Sequence, residues 1–204
     1  MIANPAALYK SMVAKAKIRY ERATALAVAR ELCAALKPVT DRLLVAGSLR
    51  RRKGTVGDVE ILFVPRFEDR PDPGDLFGKP AHMNLAALTL EEWLATGRLS
   101  KRLNANGGSM WGEQNRLAVH VVSGIPVDFF QARAANWWNL VVCRTGSAES
   151  NIRICSAALR RGWKWDPYGA GFYDRLTGDL VCRTSSEADV FESLGLRCVE
   201  PWER

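Results

Sequence analysis

The hydrophobic positions of the chain switch between helical and extended spacing. Residues 6–36 are rich in Ala, Leu, Lys and Arg with apolar positions at helical steps, which predicts a helix that ends before Pro38. The apolar runs at 43–46 and 59–64 are short and bounded by glycine or proline, and we predict two buried strands there. Residues 65–80 contain four of the nine prolines, so this segment is predicted to be a loop.

The second half of the chain shows both kinds of spacing again. Its predicted elements are a helix at 85–95, a turn-rich segment at 104–115, a hairpin of strands at 117–122 and 125–131, helices at 132–144 and 148–161, short strands within 162–181, and a last short helix that starts at 185–187 and ends at Gly195. This order predicts an α+β fold. We divide it into a helical segment at 1–40, a strand-centred unit at 41–132 and a helix-rich unit at 133–204.

Composition is that of an ordinary globular protein and excludes several other classes. Hydrophobic residues make up 48% of the chain and charged residues 25%. No run of 18 apolar residues occurs, so no transmembrane helix and no membrane partner are expected, and the absence of a signal-peptide pattern favours a cytoplasmic protein. Five cysteines without metal-finger spacing predict reduced thiols, and with two histidines a histidine-rich metal site is not expected.

The net charge indicates an anionic partner. The 29 Lys and Arg residues outnumber the 22 Asp and Glu residues, which gives a formal charge of +7. Taken alone, a basic excess of this size favours nucleic acid, a nucleotide or an acidic membrane surface as the partner, although it is also compatible with solubility alone. Of these three partners, we do not expect the membrane.

Three acidic side chains in predicted strands are the leading candidates for chemistry. Strand side chains alternate between faces, so Asp58 and Glu60 point the same way, about 7 Å apart. Carboxylates at this spacing repel each other unless a cation lies between them, and Mg²⁺ prefers such oxygen ligands. Asp128 is the only acidic residue in the apolar segment 125–130, where an unpaired carboxylate is costly. Three carboxylates from two adjacent strands can hold two Mg²⁺ ions for in-line displacement at phosphorus.

A small-residue turn upstream of these carboxylates fits the same kind of ligand. Gly47 and Ser48 follow a predicted strand and precede three consecutive arginines at 50–52. A strand, a tight turn and a helix start present backbone N–H groups to phosphate oxygens, and an arginine binds phosphate bidentately. Each feature taken singly is usually a surface turn or a solvated face. Their order and spacing together favour a phosphate-transfer site.

The sequence around these residues resembles the family X DNA polymerases, within the nucleotidyltransferase superfamily. The positions of the family pattern G-S-x-x-R-x-x-x-x-x-G-D-x-D are held by Gly47, Ser48, Arg51, Gly57, Asp58 and Glu60. Residues 145–151 (TGSAESN) resemble the T-G-S-x-x-x-N segment, and Gly162 with Tyr168 resembles the G…N-E-Y stretch. The E-x-x-x-F-x-x-L-G-L…P ending is matched by Glu187, Phe191, residues 194–196 and Pro201. The resemblance covers residues 17–204.

The resemblance implies a nucleotidyltransferase palm with a mixed sheet at 41–132, followed by a C-terminal subdomain at 133–204 that binds the nucleotide and the nascent base pair. It implies that Asp58, Glu60 and Asp128 ligate two Mg²⁺ ions, or Mn²⁺, with Asp128 beside the primer 3′-hydroxyl. The implied nucleotide-binding residues are Gly47, Ser48, Arg51, Gly57, Gly146, Ser147 and Asn151, of which Ser48, Arg51 and the Gly57 amide would hold the β- and γ-phosphates. The implied DNA-binding residues are Lys17, Lys101, Arg102 and Arg153.

The function implied by the resemblance is DNA-directed DNA polymerisation by a monomer. A deoxynucleoside triphosphate (dNTP) would react with the 3′-hydroxyl of primer-template or gapped DNA, in the filling of short gaps during DNA repair. Two alternatives stay open. One is a nucleotidyltransferase that acts on a small molecule or a protein. The other is a catalytically silent relative that only binds DNA.

Several positions depart from the family pattern. Glu60 replaces the second aspartate and is one methylene longer, so we expect an altered metal geometry with a lower rate or a preference for Mn²⁺. Cys143 and Arg144 replace an aromatic pair near the sugar. Cys155 replaces an arginine that faces the template, and this replacement predicts weaker template checking. Residues 1–40 show no helix-hairpin-helix glycine pattern, so lyase activity is not expected.

Overall fold

The computed structural model describes residues 18–71, 80–104 and 107–204. Its elements are β1 (Tyr20–Glu21), α1 (Arg22–Leu36), β2 (Thr40–Val45), α2 (Gly47–Arg50), β3 (Thr55–Val56), β4 (Val59–Pro65), β5 (Phe67–Pro71), β6 (Pro80–Asn84), α3 (Leu85–Ala95), β7 (Leu99–Lys101), β8 (Asn115–His120), β9 (Ile125–Gln131), α4 (Trp137–Thr145), α5 (Ala148–Arg160), β10 (Trp163–Trp165), β11 (Gly171–Asp174), β12 (Leu180–Arg183) and α6 (Glu187–Glu192). None of the helices among these residues has the length and apolar character to cross a membrane.

Five strands form the central sheet, in the order β2–β4–β9–β8–β7. The pair β4–β9 is parallel and the other three pairs are antiparallel, so the sheet is mixed. The register of the parallel pair aligns Glu60 on β4 with Asp128 on β9. Side chains at aligned positions point to the same face, which places these two carboxylates side by side in the middle of the sheet.

Helices cover both faces of the sheet, and the alternation along β4 decides which side chain meets which helix. Val59, Ile61 and Phe63 lie in the main core together with residues of α1 and α3. Leu62 points the other way and belongs to a second core that includes Leu140 of α4. Glu60 shares the face of Leu62 because the side-chain period is two. The carboxylates therefore face the C-terminal unit.

The C-terminal unit has a core of its own. Helices α4, α5 and α6 and the three-stranded sheet β10–β11–β12 contribute Val142, Ile154, Trp165, Phe172, Val190 and Phe191 to it. A buried hydrogen bond of 2.9 Å from Trp165 Nε1 to Asn139 Oδ1 joins this sheet to α4. Burial of a polar pair is tolerated here because each group finds a partner.

Several elements agree with the sequence patterns. Helix α3 has the predicted bounds, α5 ends one residue earlier than predicted, and β9 begins and ends at the predicted residues. The α+β fold with a mixed sheet is confirmed. In these segments local periodicity and tertiary burial favour the same structure.

The helix predicted at 6–36 begins only at Arg22 in the structure. Tyr20 and Glu21 are extended because they pair with Val56 and Thr55 as strands β1 and β3. At this end of the predicted helix, strand pairing therefore decides the conformation, although the sequence has helical spacing. The predicted residues up to 17, including Lys17, lie outside the described part of the chain.

The prediction of a loop at 65–80 was also wrong for its described residues. Residues 67–71 form β5, which pairs antiparallel with β6, and 72–79 lie outside the described residues. Pro71 and Pro80 face each other at the end of this ladder. Proline is tolerated at such an end because its missing N–H removes no interior ladder bond.

Two other boundaries differ from the prediction. The strand predicted at 117–122 spans 115–120, and the turn at 121–124 leaves Val122 89% exposed. The helix predicted at 132–144 begins at Trp137. Before it, the Asn136 side chain accepts the N–H of Arg133 at 2.8 Å, which favours a short 3₁₀ turn over a helix.

Candidate active site

The structure brings the three predicted carboxylates together. Glu60 and Asp128 are register partners, and Asp58 directly precedes β4. The charge of Asp58 raises the pKa of both other carboxyls, so all three lie within electrostatic range. Asp128 is on the same side of the sheet as Glu60, as a shared cation site requires.

Glu60 carries the largest electrostatic perturbation of the three. Burial raises the pKa of Glu60 to about 7, and the charges of Asp58 and Asp128 add to this, although Arg144 and Arg51 act in the opposite direction. Burial also raises the pKa of Asp128, against the hydrogen bond from Arg102. Uncompensated negative charge of this kind is what a bound cation relieves.

This pKa predicts how the stability of the metal-free protein depends on pH. The folded value of about 7 lies above the ordinary value of 4.5, so folding favours the protonated Glu60. The resulting stabilisation is complete below pH 4.5 and is lost as the pH rises through 7. Relative to Glu60→Gln, we expect wild type to lose about 2.5 kcal/mol of unfolding free energy between pH 5 and pH 8. Urea unfolding in EDTA measures this.

The exposed Glu149→Gln is the matched control for this pH series, since its curve is expected to run parallel to wild type. Parallel curves for wild type and Glu60→Gln would contradict the raised pKa of Glu60.

Gly47 is required beside the Glu60 carboxyl. Its φ of +61° is left-handed, and a Cβ built on it would lie 1.8 Å from Glu60 Oε2. The backbone N–H of Ala46 also donates to Glu60 O at 2.8 Å. The turn before α2 therefore lies directly against the acidic side chain, and only glycine combines this conformation with this approach.

Gly47→Ala is expected to displace the Glu60 carboxyl as well as strain the backbone. Gly97 is the matched control, because its φ is +73° and no atom lies within 4 Å of an added Cβ. Both alanine variants should lose about 1–2 kcal/mol of unfolding free energy. Only Gly47→Ala should also lose about tenfold or more in nucleotidyl transfer, by analogy with the loss of a group that orients metal ligands. Equal activity of the two variants would argue against a role for the Glu60 carboxyl.

The three carboxylates are oxygen ligands of the kind that a hard divalent cation prefers, but their side chains do not all point to one position. Among the described residues no three His, Cys, Asp or Glu side chains converge closely enough to hold a metal ion. Two contacts explain this: Arg102 Nη2 bonds to Asp128 Oδ1, and the Glu60 carboxyl is turned towards Gly47. Three clustered carboxylates with a raised Glu60 pKa fit Mg²⁺ or Mn²⁺ chemically.

The predicted phosphate-binding residues surround the turn at Gly47. The hydroxyl of Ser48 is buried and has no hydrogen-bond partner within the described residues. The guanidinium Nη1 of Arg51 donates to Thr145 O and, at 3.0 Å, to Gly146 O. Gly57 is buried next to Asp58. Ser48 thus has free hydrogen-bonding capacity, whereas Arg51 connects α2 to the end of α4.

The segment 145–151 forms a tight turn into α5. Ser147 caps the helix by accepting the N–H of Ser150 at 3.1 Å. Asn151 Nδ2 donates to Cys143 O at 2.9 Å, and its Oδ1 is buried without a partner in the described chain. A Cβ at Gly146 would lie 2.8 Å from that oxygen. Glycine therefore lets the Asn151 amide pack under the turn.

Comparisons with known proteins agree with this architecture. Residues 140–204 match the family model described as DNA polymerase beta thumb. The fold matches polymerase beta of Leishmania infantum in its ternary P/T complex, with a TM-score of 0.64 and 19% sequence identity, over 92% of this chain and 77% of the other. The chain has the polymerase beta fold. The resemblance to family X polymerases is thereby confirmed, and no curated protein matches the sequence significantly.

In this polymerase beta fold, an ion-paired cluster joins α2 to residues 140–204, the part that matches the thumb model. The Glu187 carboxylate receives hydrogen bonds from Arg50 of α2 and from Arg204, the latter at 2.7 Å. Arg50 also donates to Thr145 Oγ1 at 2.7 Å. These side chains are largely buried, since the exposed fractions of Arg50, Glu187 and Arg204 are 20%, 15% and 2%.

Arg144, expected near the sugar, contributes a cation beside the carboxylates that was not predicted. Its guanidinium lies 3.8 Å from the Phe130 ring centroid, and Nη2 donates to the Tyr168 hydroxyl at 2.8 Å. Its charge lowers the pKa of both Glu60 and Asp128, against the dominant effect of burial. One signal could have found it: Arg144 is the only charged residue between 137 and 145.

The predicted DNA-binding residues have different surroundings. Lys101 Nζ lies 5.6 Å from the Trp111 ring centroid, and Arg153 is exposed on α5. Arg102 forms an ion pair with Asp128. Lys101 and Arg153 are thus accessible to a phosphate, whereas Arg102 is already engaged with a carboxylate.

Proposed function

We propose that the protein is a nucleotidyltransferase that adds a nucleotide from a dNTP to the 3′-hydroxyl of primer-template or gapped DNA. One observation carries the proposal: Glu60 and Asp128 are aligned on adjacent parallel strands, next to Asp58 and against the Gly47 turn. The thumb match at 140–204 supports a polymerase rather than a transferase to small molecules. The ternary P/T complex of the Leishmania protein supports DNA as the partner, and we propose short-gap filling in repair as the task.

Asp58, Glu60 and Asp128 would hold the two divalent cations. When bound, Mg²⁺ or Mn²⁺ would neutralise charge at the transferred phosphate and favour ionisation of the attacking hydroxyl. Asp128 lies on β9, between Glu60 on β4 and Leu117 on β8. From the resemblance to the family X polymerases, we infer that it orients the primer end. We infer that the longer Glu60 side chain reaches the cations only after it turns away from Gly47.

The triphosphate would bind at the turn between β2 and α2. Ser48 has a buried hydroxyl with no hydrogen-bond partner among the described residues, and a phosphate oxygen would satisfy it. Arg144 supplies a fixed positive charge opposite the carboxylates, held by Phe130 and Tyr168. A guanidinium can stabilise a developing phosphate charge through hydrogen bonds, without a proton transfer.

Extension of a labelled primer on gapped and on blunt DNA tests the proposal. Each dNTP is supplied singly, in Mg²⁺ and in Mn²⁺, and release of pyrophosphate is measured in parallel. Addition of the templated nucleotide with equimolar pyrophosphate supports the proposal. Binding of DNA without extension in both metals would instead identify a silent DNA-binding relative, and labelling of a small molecule or protein would identify another transferase.

A further inference from the structure

Arg102 lies at the end of a row of residues that crosses the sheet to the carboxylates. Its backbone N–H donates to Leu117 O at 3.0 Å. Leu117 is the register partner of Asp128, and Asp128 is the register partner of Glu60. Adjacent strands are about 4.8 Å apart, so an extended arginine can pass over Leu117 and reach Asp128.

The ion pair between Arg102 and Asp128 is well shielded from solvent. The exposed side-chain fractions are 30% for Arg102 and 13% for Asp128. Arg98 directly precedes β7, as Arg102 directly follows it, and forms an ion pair at 2.7 Å with Glu31, whose side chain is 48% exposed. Solvent screens the charge of Asp128 less than that of Glu31, because Asp128 is more buried. Neutralisation of Asp128 by Arg102 therefore contributes more to stability than the pair of Arg98 with Glu31.

The guanidinium occupies an oxygen that a cation would need. A divalent ion at Asp128 requires a carboxylate oxygen as ligand, and Arg102 Nη2 is bonded to Oδ1. A guanidinium and a metal ion at the same oxygen would repel each other at short range. This contact accounts in part for the lack of a three-ligand cluster among the described residues.

We propose that Arg102 is a built-in counter-ion of Asp128 that competes with divalent cations for this carboxylate and leaves it when the site is loaded. The inference rests on the metal site of the proposed function and not on nucleotidyl transfer itself.

Mn²⁺ binding to the protein without DNA or nucleotide tests the proposal. Free Mn²⁺ is measured by electron paramagnetic resonance during titration of wild type, Arg102→Gln and the matched control Arg98→Gln. We expect Arg102→Gln to bind Mn²⁺ about tenfold or more tightly than wild type, and Arg98→Gln to be unchanged. Asp128→Asn in the Arg102→Gln background should abolish the gain. Equal or weaker Mn²⁺ binding by Arg102→Gln would overturn the proposal.

A second measurement covers the case in which Arg102→Gln does not fold. In folded wild type, saturating Mg²⁺ should shift the NMR signal of the Arg102 side-chain Nε–H, because the guanidinium leaves Asp128, and a signal unaffected by saturating Mg²⁺ would overturn the proposal. Neither readout requires catalysis. Tighter Mn²⁺ binding without any primer extension would reject the proposed function and leave this inference standing, and normal extension with unchanged Mn²⁺ binding would do the reverse.

Discussion

Asp128→Asn is expected to lower primer extension by about 10³-fold, equivalent to about 4 kcal/mol of transition-state stabilisation. The amide has the size of the carboxylate, so the strand pairing with Glu60 and Leu117 is preserved. It lacks the negative charge that would hold a cation beside the primer end. The effect should appear in the rate of single-nucleotide addition at saturating dNTP, measured by rapid quench.

Asp179→Asn is the matched control, because Asp179 is exposed near the β11–β12 turn, in the small sheet of the C-terminal unit. It should extend primers at the wild-type rate. Both variants should bind gapped DNA as wild type does in a gel shift. Extension by Asp128→Asn within a few-fold of wild type would remove this residue from the catalytic site.

Glu187→Gln is expected to destabilise the protein by about 3 kcal/mol, because it leaves two largely buried arginines without their carboxylate. Arg204 is only 2% exposed, and it and Arg50 both bond to Glu187. For a chain of this size such a loss corresponds to a fall of about 6–12 °C in the melting temperature. Thermal and urea unfolding measure it, with the exposed Glu192→Gln on the same helix as the control.

The pH dependence of this effect has a definite sign. Burial acts to raise the pKa of Glu187, but the hydrogen bonds and charges of Arg50 and Arg204 outweigh it and hold the pKa below its ordinary value of 4.5. The stabilisation is therefore present above pH 4.5 and is lost as the pH falls through the folded value. The difference between wild type and Glu187→Gln should shrink in acid. A constant difference from pH 7 to pH 3 would show that the ion pairs are not its cause.

Local sequence patterns predicted elements well where burial and periodicity agree. Helix α3 lies under the sheet, and Leu90 and Trp93 on its inner face follow helical steps. The same patterns failed at β5 and β6. The prolines of this segment indicated a loop, whereas Pro71 and Pro80 pair at the end of a two-stranded ladder. Strand pairing joins residues distant in sequence, and composition does not record it.

The structure brings the three predicted carboxylates close together, while their contacts with basic side chains were not predicted. Asp58 and Glu60 were found because two carboxylates facing the same way repel each other without a cation, and Asp128 because a lone carboxylate in an apolar strand is costly. The positions of Arg102 and Arg144 beside them were not predicted. Basic side chains are common on surfaces, and whether one reaches a carboxylate depends on strand register and helix packing, which a pattern in one segment does not contain.

By itself, the sequence determined the α+β class and indicated the three acidic residues and the small-residue turn at Gly47 as the candidate site, since periodicity and residue chemistry are local properties. Only the tertiary structure decided that Glu60 and Asp128 are aligned on parallel strands, that Arg102 holds Asp128, and that Glu187 joins two arginines from distant segments. These contacts arise when the chain folds back on itself, and their energies depend on the burial that folding creates.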